Sequence, residues 1–258
     1  MAETAADRLV PRPDHGRQWT TDRRVRFGDV DPSGRVRLDA LASYIQDLAS
    51  DDTDDAGIGG DMVWVVRRAV IEVRVTPRFL EDLELVTWCG GLGRRWAERR
   101  VSMTSARGAS VESALLWVSL DRASGRPLPL APEFLERYAD AAGGREVSAR
   151  LQHPATPPEG TALERQPWPL RATDFDLLDH MNNAATWAMV EEVLSEHPRK
   201  APYRAEIEYR LPIERGCRVE LDVVNDGDAS QLWATGTAAA EPDRPLLFAT
   251  ARISSLAG

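Results

Sequence analysis

The chain is poor in the residues that build several common functional classes. Among its 258 residues are two cysteines, Cys89 and Cys217. Two thiols are too few for a disulfide framework or a cysteine-rich zinc site, so a reducing compartment, the cytoplasm, is the expected location. Lysine occurs once, at Lys200, and arginine carries nearly all the positive charge. Acidic residues outnumber basic ones, 41 to 32, for a formal net charge of −9. That balance argues against nucleic acid or an anionic membrane as partner. Apolar runs last only a few residues, against the roughly 20 that span a bilayer. The polar, proline-broken stretch from Met1 to Gln18 has neither the basic start nor the apolar core of an export signal. The four histidines (His15, His153, His180, His197) stand at no metal-ligand spacing, and no metal or cofactor is expected.

What the chain does have is an internal repeat. The segment from Val25, VRFGDVDPSGRVRLDALASYIQDLA, aligns without a gap on the segment from Leu170, LRATDFDLLDHMNNAATWAMVEEVL. Asp29 falls on Asp174, Asp31 on Asp176, and Arg35 on His180. In both copies an Asp-x-Asp leads through a short loop into a helical pattern. The first helix keeps Leu38, Leu41, Ile45 and Leu48 on one face. The second is apolar nearly all round, through Trp187, Met189, Val190, Val193 and Leu194, as a buried helix is. Strand patterns follow each helix in succession: 69–75, 83–89, 96–105 and 112–120 in the first copy, 205–211, 219–225, 232–238 and 246–254 in the second. Strands without intervening helices disfavour a doubly wound parallel sheet. The expectation is α+β: two tandem hot-dog domains, each a curved antiparallel sheet of about five strands wrapped around a long helix, forming a pseudo-dimer. The first spans 18–135, the second 169–258. The proline-rich stretch within 136–168 reads as a linker.

With the repeat placed, the sequence resembles the fatty acyl-acyl carrier protein thioesterases over roughly Arg24 to Ser254. The resemblance is carried by Trp64-Val-Val before an Ile-Glu-Val strand, Arg94-Arg-Trp96, Trp117-Val-Ser, Asp174-Phe-Asp-Leu-Leu-Asp-His-Met-Asn-Asn183, Trp187, and Glu208-Tyr-Arg. It implies hydrolysis of the thioester joining a fatty acyl chain to the phosphopantetheine arm of an acyl carrier protein. It also implies a catalytic second half, with the family's Asp on Asp176, its His on His180, and a later acidic residue near Glu214. The family's Asn two residues before the His is Leu178 here. The first half, with Arg35 where the second has His180, is the expected substrate-binding half.

The residues themselves allow this chemistry. Thioester hydrolysis needs a positioned water, a base for its proton and donors for the oxyanion. Asp176 can orient the His180 imidazole or act as base. Asn182 and Asn183 suit helix caps, and the free N–H groups beside them could hold a carbonyl oxygen. With Leu178 and Trp64 they form the expected substrate-binding set. Trp88, Trp96, Trp117 and Trp187 are further candidates for an acyl pocket, or simply core. Arg94 and Arg95, beside Arg99 and Arg100, are a candidate dock for an acidic carrier protein. Cys217 lies near the expected catalytic strand, and an incidental thiol is the simpler reading. Asp51-Asp-Thr-Asp-Asp55 reads as a solvated loop or helix end, not a calcium loop. Two other readings stay open: a coenzyme A thioesterase on the same fold, and a non-catalytic acyl-binding module. The oligomeric expectation is a monomeric pseudo-dimer or a homodimer.

Overall fold

The computed structural model describes residues 9–58 and 62–256, of Met62 the backbone alone. The chain divides into two compact units. The first runs to Val36 and from Tyr44 to Arg150; the second joins Arg37–Ser43 to the chain from Leu151 onward.

In the first unit, strand β1 (Gln18–Arg24) precedes helix α1 (Leu38–Asp55), most of which belongs here, and strands β2 (Met62–Val75), β3 (Asp82–Leu92), β4 (Trp96–Thr104) and β5 (Ser110–Asp121) follow. They form an antiparallel sheet in the order β1-β3-β4-β5-β2. A short helix, α2 (Pro132–Tyr138), starts on a proline whose missing N–H costs nothing at that position. The second unit repeats the plan with β6 (Glu164–Trp168), α3 (Asn183–Glu196), β7 (Tyr203–Tyr209), β8 (Arg218–Asn225), β9 (Ala229–Ala238) and β10 (Glu241–Ser255). Its sheet order is β6-β8-β9-β10-β7, the same permutation. This is the expected tandem hot-dog, with five strands in each half.

The stretch 136–168 carries more structure than its prolines suggest. Tyr138, Ala141 and Ala142 are buried in a cluster with Trp88, Leu130 and Phe134. Near its end, β6 pairs with β8 at the edge of the second sheet. Pro167 is tolerated there because an edge strand has one side without ladder bonds.

The acidic run at the end of α1 is helix, and part of it points inward. Asp51 is exposed, while Asp52 is 1% exposed. The Asp52 carboxylate accepts Arg17 Nε at 2.8 Å, Arg99 Nη1 at 2.5 Å and the Tyr138 hydroxyl at 2.9 Å. One acidic residue thereby ties the residue just before β1, together with β4 and α2, to the last turns of α1, and nothing in a run of aspartates shows which one turns in. Removing it leaves Arg99 and Tyr138 without their partner in a low-dielectric interior. We expect Asp52→Ala to cost about 3–5 kcal/mol and Asp51→Ala to stay within about 0.5 kcal/mol of wild type, as read by denaturant unfolding.

Candidate active site

The loop before α3 closes on itself. Residues 172–174 make one 3-10 turn, and the buried Asp174 carboxylate accepts the Arg171 backbone N–H at 2.8 Å and Arg171 Nε at 3.0 Å. Asp176 follows: its Oδ1 accepts the Leu178 N–H at 2.9 Å, an Asx turn. Its own N–H donates to His180 O at 3.0 Å. The turn needs a left-handed residue, and Asp179 supplies it at φ +57°. Aspartate visits that region more readily than most residues with a Cβ. Arg215 donates to its carboxylate and lies 4.5 Å from the centre of the Phe175 ring.

This closure sends His180 and Met181 along the segment before β8. Met181 N donates to Ile213 O at 2.8 Å, and His180 bridges Glu214. His180 Nε2 stands 3.9 Å from Glu214 Oε1, with both side chains substantially solvent-exposed. Two residues on, Asn182 caps α3 through Oδ1, which accepts the Ala184 N–H at 2.8 Å. Its side-chain NH2 is left with no hydrogen bond among the described residues. Asn183 opens the helix half-buried, and its carbonyl accepts the Tyr209 hydroxyl at 3.1 Å. Burial raises the Tyr209 phenol well above its ordinary pKa and keeps it a donor. Leu178, where the resembling family carries Asn, is half-exposed beside the fully exposed Leu177.

The first unit builds the same loop with different chemistry. Asp31 N donates to Arg35 O at 2.8 Å, and Val36 N to Pro77 O at 3.1 Å. Gly34, at φ +79°, takes the left-handed position, and Arg35 bridges Arg78. Position for position, His180 and Glu214 replace Arg35 and Arg78. The Asp31 carboxylate accepts Arg35 Nε at 3.0 Å, together with the Ser33 and Arg35 N–H groups. Those bonds hold it below the ordinary carboxylate pKa despite partial burial. In the second unit the corresponding Asp176 meets no cation among the described residues.

The first unit instead contains a cavity of about 380 Å³. Trp64, Trp88, Trp117 and Phe134 supply aromatic wall, and Gln46, Ala49, Ser50 and Thr53 of α1 face them. Trp64 and Phe134 ring centres are 5.0 Å apart. Trp96 lies outside this lining, its indole bonded to Val147 O at 2.8 Å, and Trp187 is buried in α3. Cys89 is in the wall, and burial pushes its thiol up to about 11. Arg94 and Arg95 are exposed on the β3–β4 turn with no ion pair among the described residues, whereas Arg99 and the buried Arg100 are held internally, Arg100 Nε on Ser113 O at 2.7 Å.

The Glu208-Tyr-Arg segment is a clamp. Glu208, 0% exposed, accepts the N–H groups of Gln152 and His153 and the Arg210 guanidinium. One group of metal-ligand type occurs among the described residues, at Glu164, Glu196 and His197. There both ring nitrogens of His197 are engaged, by Asn225 at 2.9 Å and Glu164 at 3.2 Å. That is a hydrogen-bonded pair of contacts with no ring nitrogen left over.

The molecule is thus two hot-dog units, one presenting His180 opposite Glu214 on the loop before its helix and the other holding an aromatic cavity. The acyl-ACP thioesterase N-terminal domain model matches residues 16–138 and the C-terminal domain model residues 159–237. The chain belongs to the acyl-ACP thioesterase family, a family of fatty acyl thioester hydrolases. It is 32% identical over 210 residues to the uncharacterized protein Rv2001 of Mycobacterium tuberculosis, covering 81% of this chain and 83% of that protein. The acyl-[acyl-carrier-protein] hydrolase FATB3 of Cuphea viscosissima is 22% identical over 182 residues, 66% of this chain and 44% of that protein. The structure of the 12:0-ACP thioesterase from Umbellularia californica superposes with a TM-score of 0.73 at 18% identity, over 93% of this chain and 97% of that one, and shares the fold.

The cap on α3 is testable by itself. Asn182→Ala should lower stability by about 1 kcal/mol, while Asn182→Asp, which keeps an acceptor oxygen, should stay near wild type. Thermal unfolding of the two variants reads the difference.

Proposed function

We propose that this chain hydrolyses fatty acyl-acyl carrier protein thioesters to free fatty acid and carrier protein. The observation that carries the reading is the substitution of His180 and Glu214 for Arg35 and Arg78 at the same bridge of a repeated loop. A thioester hydrolase needs a proton acceptor at such a place, and a pair of arginines cannot supply one. In this reading His180 takes a proton from water, and the hydroxide attacks the acyl carbonyl carbon. The oxyanion is held by the side-chain NH2 of Asn182, by Asn183 and by the N–H groups opening α3. On collapse the C–S bond breaks, and His180 returns the proton to the departing thiolate. Glu214 stabilises the imidazolium by charge. Asp176 holds the loop with one carboxylate oxygen and presents the other to the water or the imidazole.

Trp64, in the wall of the first unit's aromatic cavity, and Leu178, on the His180 loop in the second, are the assigned apolar contacts for the acyl chain. The names of the Umbellularia and Cuphea proteins favour a carrier-protein thioester over coenzyme A, and no further cofactor is called for. Arg94 and Arg95, exposed and without an ion pair among the described residues, are assigned to docking the carrier protein.

Asp176→Asn keeps the oxygen that accepts the Leu178 N–H and removes only the charge. It and His180→Ala should each lower turnover by about 10²-fold or more with the fold intact. The double variant should be little worse than the worse single one, because both groups serve one proton path, and Arg35→Ala should lose far less. Turnover near wild type in Asp176→Asn or His180→Ala removes that residue from the mechanism. Release of free fatty acid from acyl-carrier-protein and acyl-coenzyme A panels reads both the chemistry and the carrier.

Docking has its own signature. Reversing Arg94 or Arg95 to Glu should raise KM for the acyl-carrier-protein substrate and narrow the preference over an acyl-pantetheine analogue. The wild-type preference should itself weaken with added salt. Equal losses on both substrates would make the two arginines structural.

A further inference from the structure

We propose that a cleft in the second unit, bounded by Trp168, Arg171, Phe175, Arg215 and Arg218, binds the phosphoryl group of the pantetheine arm that carries the acyl chain. The proposal rests on the reading of the second unit as the hydrolytic one. The cleft encloses about 580 Å³ and lies beside the loop that carries His180, sharing Phe175 and Arg215 with it. Three guanidinium groups reach it in different states. Arg171 is anchored on the buried Asp174 with its side chain 64% exposed. Arg215 is held by Asp179 through Nε and stacked on Phe175. The Nη groups of Arg215 make no hydrogen bond among the described residues. Arg218, exposed at the start of β8, has no ion pair among the described residues.

Two partly neutralised forks and one free cation make a site for a compact, doubly oxygenated anion. Guanidinium recognises phosphate through paired N–H donors of fixed geometry. Two of the acidic residues nearby are already engaged. Asp174 and Asp179 hold the first two arginines, and Glu220, which also lines the cleft, faces Arg165 at 3.9 Å. Glu214 directly precedes Arg215 and faces His180. Arg165 is already held bidentately by Asp222, so Glu220 keeps most of its charge on the rim, and what the cleft offers an anion is the fork of Arg218, which has no ion pair among the described residues, rather than a net positive charge. A phosphoryl group is the part of the substrate that every acyl chain shares, so its recognition is independent of chain length. Carrier protein and coenzyme A both present it.

The test compares acyl-phosphopantetheine with acyl-pantetheine, the same thioester without the phosphate. Wild type should show a KM about tenfold lower for the phosphorylated form. The ratio should fall toward unity in Arg218→Gln, with Arg218→Lys, which keeps the charge but not the fork, in between. A ratio of one in wild type, or a ratio unmoved in both Arg218→Gln and Arg215→Gln, overturns the proposal. The thermal midpoint of Arg218→Gln should match wild type, since no internal contact is removed. Acyl-carrier-protein and acyl-coenzyme A substrates separate the two sources: the one whose kcat/KM drops in Arg218→Gln uses the cleft, and no drop on either overturns it. Should no thioester be hydrolysed, the enzymatic reading falls, and calorimetry still decides the cleft. Tighter binding of phosphopantetheine than pantetheine, lost in Arg218→Gln, supports it; equal binding overturns it.

Discussion

The loop that precedes each long helix must satisfy its own backbone, and the candidate chemistry follows from how it does so. In both units an aspartate two residues ahead accepts an upstream arginine N–H, Arg26 to Asp29 at 2.7 Å and Arg171 to Asp174 at 2.8 Å. A second aspartate then folds the loop around its carboxylate. Each bond is worth little, about 1 kcal/mol net. Their joint effect is geometric: the residue four after the second aspartate is delivered to a bridge with the strand segment beyond the sheet's first long strand. Whatever side chain stands there is held at a fixed height beside the helix start, where unpaired N–H groups and the positive end of the helix dipole lie.

The two halves spend that geometry differently. In the first, Arg35 is drawn onto Asp31, and the result is a closed ion pair that adds rigidity and leaves no group to exchange a proton near neutrality. In the second, imidazole replaces guanidinium, and the aspartate keeps one oxygen without a hydrogen bond among the described residues. Gly34 gives way to Asp179 at the left-handed position, which costs some backbone strain that glycine would avoid. In exchange the carboxylate restrains Arg215, and through it one wall of the neighbouring cleft. A repeated framework with one stabilised copy and one strained copy is what is expected when only one copy does chemistry.

Much of this was legible in the sequence because it is written in spacing. The gapless repeat fixed the tandem plan, and apolar periodicity placed both long helices and the eight inner strands. Strands β1 and β6 were not legible, since Gln18–Arg24 and Glu164–Trp168 are edge strands with polar outer faces and no alternation to read. Glu214 was placed only to within a residue, because strand register is a tertiary property; the bridge to His180 sets it. The direction of Asp52 was hidden for a similar reason. Five polar residues in a row carry no periodic signal, and which one turns inward depends on Arg17 and Arg99, distant in sequence. Glu208 stood out only within a motif, and its role as acceptor for Gln152 and His153 needs the fold to be seen.

Electrostatics then narrows where anions can be read. On a chain of net charge −9, a cation attracts a ligand only if its own protein has not already claimed it. Most arginines with definite partners here are claimed: Arg17 and Arg99 by Asp52, Arg35 by Asp31, Arg145 by Glu98, Arg165 by Asp222. Arg94, Arg95 and Arg218 are exposed and make no such pair among the described residues, and the same holds for Arg107, Arg122, Arg126, Arg137 and Arg150 elsewhere on the surface. A protein whose acidic surface repels acidic partners at range, yet leaves a few forks uncommitted, selects for ligands that bring an anion to a defined spot. Under the proposed function, a phosphorylated arm on an acidic carrier is a ligand of that kind, with those arginines offsetting its charge.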